Sequence, residues 1–116
     1  MLFYCHPACS TCKKAQAFLD QHNLSYELRD IRSQTPTAEQ LGQWQEKSGL
    51  PLRRFFNTSG QRYRELMLSE RLADMPREEQ LALLASDGML IKRPLLVDEG
   101  VVLPGFREKA WAEALL

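Results

Sequence analysis

Apolar and polar positions along the chain fall into short, separate patterns. Leu2-Phe3-Tyr4-Cys5 is an uninterrupted apolar run closed by Pro7, which predicts a buried strand followed by a turn. From Ser10 onward, Cys12, Ala15, Phe18 and Leu19 recur at three- and four-residue spacing. That rhythm predicts an amphipathic helix reaching about His22, with Asn23 as its stop. Tyr26-Glu27-Leu28-Arg29 then alternates apolar and polar before Asp30, the signature of a second strand. Strand, helix and strand in that order imply a βαβ unit with parallel strands.

Thr37 and Gln40 form a capping-box pattern ahead of Leu41 and Trp44, and Gly49-Leu50-Pro51 ends that helix. Phe55, Phe56, Tyr63 and Leu66 surround a polar Asn57-Thr58-Ser59-Gly60 turn. Pro76 stands at the start of a further helix carrying Leu81, Leu84 and Ala85, closed by Asp87-Gly88. Leu95-Leu96-Val97 and Val101-Val102-Leu103 flank a turn-sized gap and predict a β-hairpin. Phe106, Ala110, Trp111 and Leu115 supply a last amphipathic helix. The order is βαβ, a helical segment over about 37–88, then ββα, an α/β plan of the thioredoxin-like kind in one domain spanning 1–116.

With 44% hydrophobic and 26% charged residues, the chain has apolar material for one core. Fifteen Lys and Arg balance fifteen Asp and Glu, so net charge points to neither a nucleic acid nor an anionic membrane. The N-terminus lacks a basic region followed by a long apolar stretch, and no run is long enough to span a bilayer; a cytoplasmic protein is the expectation. All three cysteines lie between Cys5 and Cys12, which is not the distributed framework of small secreted domains and suggests redox chemistry or metal.

Cys9-Ser10-Thr11-Cys12 sits where the first strand turns into the first helix. Cys9 then lies at the helix N-terminus, where unpaired N–H groups and the positive dipole end favour a thiolate. Such placement lowers thiol pKa values from about 8.5 into the range of about 3.5 to 7.5, making Cys9 the candidate nucleophile. Cys12, three residues on and on the same face, is the candidate resolving thiol, within disulfide reach. Two other readings stand beside this one. A zinc ion would recruit Cys5, His6, Cys9 and Cys12, but adjacent Cys5 and His6 suit one tetrahedral ion poorly and no second CxxC occurs. Alternatively, both thiols are inert core residues. Cys5 reads as a small hydrophobe in a strand rather than a third reactive thiol, and His6 either assists thiol ionisation or is a solvated loop residue. His22 reads as an ordinary helix-end residue.

Near the other end, Lys92-Arg93-Pro94-Leu95 puts a proline at the first residue of a predicted strand, either as punctuation or as a cis turn presenting Arg93 toward the thiols. Pro7-Ala8-Cys9-Ser10-Thr11-Cys12-Lys13-Lys14-Ala15 together with Lys92-Arg93-Pro94-Leu95-Leu96-Val97-Asp98 resembles the arsenate reductase and Spx family over nearly the whole chain. The resemblance implies a thioredoxin-like fold, Pro94 in cis beside the cysteine loop, Cys9 as nucleophile and Cys12 as second cysteine of an Spx-type pair. Arg93 and Pro94 would shape the substrate site. It also implies three candidate activities. One is a thiol–disulfide oxidoreductase, reduced by glutathione, thioredoxin or glutaredoxin and holding no metal. A second is an Spx-like regulator that binds the C-terminal domain of the RNA polymerase α subunit. The third is an arsenate reductase coupled to glutathione and glutaredoxin. Arsenate-reducing members carry serine at the position of Cys12 and three oxyanion-binding arginines. Arg93 matches one of these; the other two positions fall near Asn57 and Gly105, with Arg53, Arg54 and Arg107 close by, and a histidine of that branch falls at Cys5, one residue from His6. The expectation is therefore a disulfide or thiol substrate in preference to arsenate.

Overall fold

The computed structural model describes residues 1–116. The chain forms β1 (Leu2–Cys5), α1 (Ser10–Gln21), β2 (Glu27–Asp30), α2 (Ala38–Ser48), α3 (Gln61–Glu65), α4 (Leu68–Arg71), α5 (Arg77–Ser86), β3 (Leu95–Asp98), β4 (Val101–Pro104) and α6 (Glu108–Leu115). Short 3-10 turns at Leu52–Phe55, Leu72–Asp74 and Gly88–Leu90 connect the middle helices. The four strands make one mixed sheet in the order β2-β1-β3-β4. β1 is parallel to β2 and antiparallel to β3, with Phe3 opposite Leu28 on one side and Leu96 on the other. β3 and β4 are antiparallel across the turn that the apolar pattern indicates. The fold is α/β and thioredoxin-like.

Both faces of the sheet are covered, which explains why β1 reads as a continuous apolar run. Alternation along the strands sends Phe3, Cys5 and Leu96 to one face, where Cys12, Ala15, Phe18 and Leu19 of α1 and Trp111 of α6 complete the cluster. Tyr4, Leu95 and Val97 face the other way, toward Leu41 and Trp44 of α2 and Leu81 and Leu84 of α5. Trp111 is the keystone of the first layer. Its ring meets Phe3, Phe18 and Phe106 edge-on, at centroid separations of 6.3, 6.2 and 4.9 Å, and its indole N–H donates to the Gly105 carbonyl at 3.0 Å.

Local chemistry sets the ends of the elements. The Thr37–Gln40 capping box closes, with the Thr37 hydroxyl accepting from the Gln40 N–H at 3.1 Å and the Gln40 side chain accepting from the Thr37 N–H at 3.0 Å. Gly49 ends α2 in the left-handed region at φ 69°. Asn23, after α1, likewise has φ 54°. Three details depart from the sequence pattern. β2 runs from Glu27 rather than Tyr26, and it is an edge strand whose Leu28 is 54% exposed, so alternation there does not mark a buried face. Phe106 precedes α6 rather than lying in it. Pro76 caps α5 from outside, one residue before the helix begins.

Candidate active site

The head of α1 is built by a tight turn. The Cys9 N–H donates to the His6 carbonyl at 3.0 Å, and the Cys9 carbonyl then accepts from the Lys13 N–H at 3.2 Å, which opens the helix. Cys9 is thus the N-cap, in extended conformation and with no side-chain cap hydrogen bond, and its thiol is half-exposed among N–H groups that have no intrahelical partner. Cys12 lies one turn later and is 3% exposed. All three cysteines are free thiols.

Cys5 is not an isolated core residue. It follows Phe3 on the α1 face of the sheet and meets Cys12 there. The Cys5 thiol hydrogen-bonds to the Cys12 sulfur, and this is the main influence pulling Cys12 down to about 6, well below an ordinary thiol. Burial opposes the effect, while the His6 backbone N–H, the Cys9 thiol and the Arg93 charge reinforce it. Cys5 is pushed up in turn, first by that hydrogen bond and then by burial. The pair therefore holds one thiolate, centred on Cys12. At Cys12 the neighbouring donor outweighs burial.

His6 takes a role that neither sequence reading gives it. Its Nδ1 accepts from the Ala8 N–H at 3.0 Å and so braces the cysteine loop. Desolvation, followed by the charges of Arg32 and Arg93, keeps its pKa below the usual histidine value, so it stands as a neutral brace rather than an imidazolium beside the thiols. His22 packs its ring on Phe18 at the far end of α1.

Across from Cys9, the Arg93–Pro94 peptide is cis. The buried Pro94 carbonyl accepts from the Gly105 N–H at 2.8 Å, and an Arg93 Nη donates to the Met89 sulfur at 3.1 Å. A cavity of about 710 Å³ opens between Cys9, this segment and α6. Its lining includes Arg54, Lys92, Arg93 and Arg107, together with Asn57 and Gly105, and holds no acidic residue. None of the four cations takes part in an ion pair. Arg53 instead lines two smaller clefts.

The positions near Asn57 and Gly105 thus do face the cysteine loop, but the positive charge comes from Arg54 and Arg107 beside them. Counting aligned arginines understates the charge at the site. Two features gather it. An isolated bridge between Phe56 and Ile91, flanked by hydrogen bonds from Asn57 N–H to the Leu90 carbonyl (2.7 Å) and from Lys92 N–H to the Phe55 carbonyl (2.8 Å), straps the Arg54 segment beside Arg93. Gly105, at φ 79°, turns the chain so that Arg107 caps α6 at the cavity wall; a Cβ there would stand 3.0 Å from the Lys92 side chain. A second cavity, of about 450 Å³, shares no lining residue with the first and is bordered by Cys5, His6, Cys12, Lys13, Leu28 and Asp30 among others.

Together, the sheet, the cysteine pair at the head of α1 and the cis-proline facing it define a thioredoxin-like domain. The sequence matches the ArsC family over residues 4–114, and the chain belongs to that family. It is 50% identical over 113 residues to the uncharacterized protein YusI of Bacillus subtilis, covering 97% of this chain and 96% of that one. It is similar in structure to an ArsC family related protein from Bacteroides fragilis, with a TM-score of 0.93 at 51% identity over 97% of this chain and 94% of the other. A more distant relative is the global transcriptional regulator Spx of Staphylococcus haemolyticus, 26% identical over 88% of this chain and 76% of the regulator. No helix is long and apolar enough to cross a membrane.

Proposed function

We propose that the chain is a thiol–disulfide oxidoreductase in which Cys9 receives the substrate and Cys12 resolves it. The observation that carries this reading is the placement of the two thiols: Cys9 half-exposed at the mouth of a cation-lined cavity, Cys12 buried one turn behind it. The Cys9 thiolate attacks one sulfur of a disulfide substrate, forming a mixed disulfide and expelling the first substrate thiolate. Cys12 then attacks the Cys9 sulfur, the bond to the substrate breaks, and the second thiolate leaves and takes up a proton. Substrate gains two electrons and the protein becomes a Cys9–Cys12 disulfide. A thiol reductant such as glutathione, glutaredoxin or thioredoxin restores the dithiol, and no metal is needed. Arg54, Lys92, Arg93 and Arg107 favour a substrate carrying carboxylates, of which glutathione disulfide is the simplest probe.

Turnover of glutathione disulfide with a dithiol reductant tests the reading. Cys9→Ser abolishes it and Cys12→Ser halts it after one substrate thiol; a Cys9→Ser protein that still turns over would refute it. The same cations suit a small oxyanion, so arsenate turnover with glutathione and glutaredoxin is the competing activity to assay beside it. A regulatory role is favoured instead by the relative named as a transcriptional regulator. Capture of the RNA polymerase α C-terminal domain, differing between the reduced and oxidised chain, would support that role.

A further inference from the structure

Resting on that reading, we infer that Cys5 is a third redox thiol, which takes over the bond to Cys12 after Cys9 and Cys12 have closed. Cys5 and Cys12 pack in one buried cluster, and Cys9 packs against that cluster. Cys9 opens to the cation-lined cavity, whereas Cys5 and Cys12 both border the second one. Cys5 is fixed at the end of β1, where its carbonyl accepts from the Ile31 N–H at 2.9 Å, on the face that α1 covers.

The Cys5 thiolate attacks the Cys12 sulfur of the Cys9–Cys12 disulfide. A Cys5–Cys12 bond forms, the Cys9–Cys12 bond breaks, and Cys9 departs as a thiolate that accepts the proton Cys5 gave up. The exchange moves no net electrons and needs no outside oxidant. Its chemistry is self-timed. In the reduced chain Cys5 is kept protonated chiefly by its hydrogen bond to Cys12; once Cys12 is a disulfide sulfur that hold is gone, and Cys5 ionises more easily at the step that requires it. The relay frees Cys9 at its cavity while the oxidised bond waits at the other, where Lys13 and His6 border the approach of a reducing thiolate.

The experiment is double alkylation. The reduced chain receives one equivalent of glutathione disulfide and is quenched in acid, and its free thiols are capped with one reagent. After reduction the newly exposed thiols are capped with a second. Fragmentation of the tryptic peptide Met1–Lys13, which holds all three cysteines, reads both labels by position. The relay gives the first label on Cys9 and the second on Cys5 and Cys12. In Cys5→Ala and in Cys5→Ser, the first label on Cys9 is lost and the second falls on Cys9 and Cys12. First label on Cys5 in the wild-type chain, with Cys9 and Cys12 carrying the second, overturns the relay but leaves the two-cysteine reading standing. First label on both Cys9 and Cys12 in the Cys5 variants overturns both.

Discussion

Removal of the Cys5 thiol should raise the pKa of Cys12 by an amount that bond strengths fix. Hydrogen bonds to charged acceptors contribute about 1.5–3 kcal/mol. At about 1.36 kcal/mol per pH unit, loss of the Cys5 donor lifts Cys12 by about one to two units. Starting from about 6, Cys12 is about nine-tenths thiolate at neutral pH, and the substitution lowers that to between about one-half and one-tenth. Burial, which pushes the other way, is left in place by Cys5→Ala. The cleanest assay is thiolate ultraviolet absorbance against pH in a Cys9→Ser background, where the serine hydroxyl keeps a donor beside Cys12. With Cys5 present, one thiolate appears on the acid side of neutral; with Cys5→Ala it appears about one to two units higher. Identical titrations for the two proteins would show that the Cys5–Cys12 contact does not set the ionisation, and the argument for a shared proton would be lost.

Stability of the reduced chain should follow the same thiols. Cys12 ionises near 6 when folded against 9.0 when unfolded, so its contribution is complete above 9.0 and is lost as pH falls toward 6. Above 9.0 the trend reverses, because unfolded Cys5 ionises there and folded Cys5, raised, does not. Urea unfolding of wild type and Cys5→Ala across this range checks both limbs; a flat profile in the wild type contradicts them. Gly88→Ala should cost about 3 kcal/mol or more, read by the same unfolding experiment, because its Cβ would sit 2.0 Å from the Ile31 carbonyl oxygen. Ile31 also donates to Cys5, so wild-type stability in that variant would mean the two loops are not in contact. Arg54→Met and Arg107→Met, both exposed, should each weaken glutathione disulfide binding by about 0.5 kcal/mol, roughly two-fold, with salt reducing the difference. KM values at low and high salt test this, and a salt-independent KM would rule out the charge argument.

Much of this architecture is visible in the spacing of side chains. The buried stripe of α1 is Cys12, Ala15, Phe18 and Leu19, as its three- and four-residue rhythm requires, and the capping box and the hairpin stand where short-range chemistry puts them. Local patterns fail where a distant partner decides. Leu28 alternates like a buried residue, yet β2 has no neighbour beyond it and Leu28 faces solvent. The gathering of Arg54 and Arg107 around Arg93 depends on the Phe56–Ile91 bridge and the Gly105 turn, which join segments far apart in the chain. The Cys5–Cys12 contact was nearer to legible. Cys5 shares the two-residue alternation of Phe3, and a helix whose apolar stripe begins at Cys12 must pack on that face. Cys5 is the buried strand residue that its apolar neighbours indicate, and its contact with Cys12 follows from the side on which α1 packs.

In the proposed reaction an outside thiol enters at Cys9 and is expelled by Cys12, and intact mass after one equivalent of glutathione disulfide reads both events. Wild-type protein should end two hydrogens lighter with no adduct, while Cys12→Ser should retain one glutathione, mapped to Cys9. A wild-type chain that keeps the adduct as stably as Cys12→Ser, or an adduct on Cys5 with Cys9 free, would contradict it.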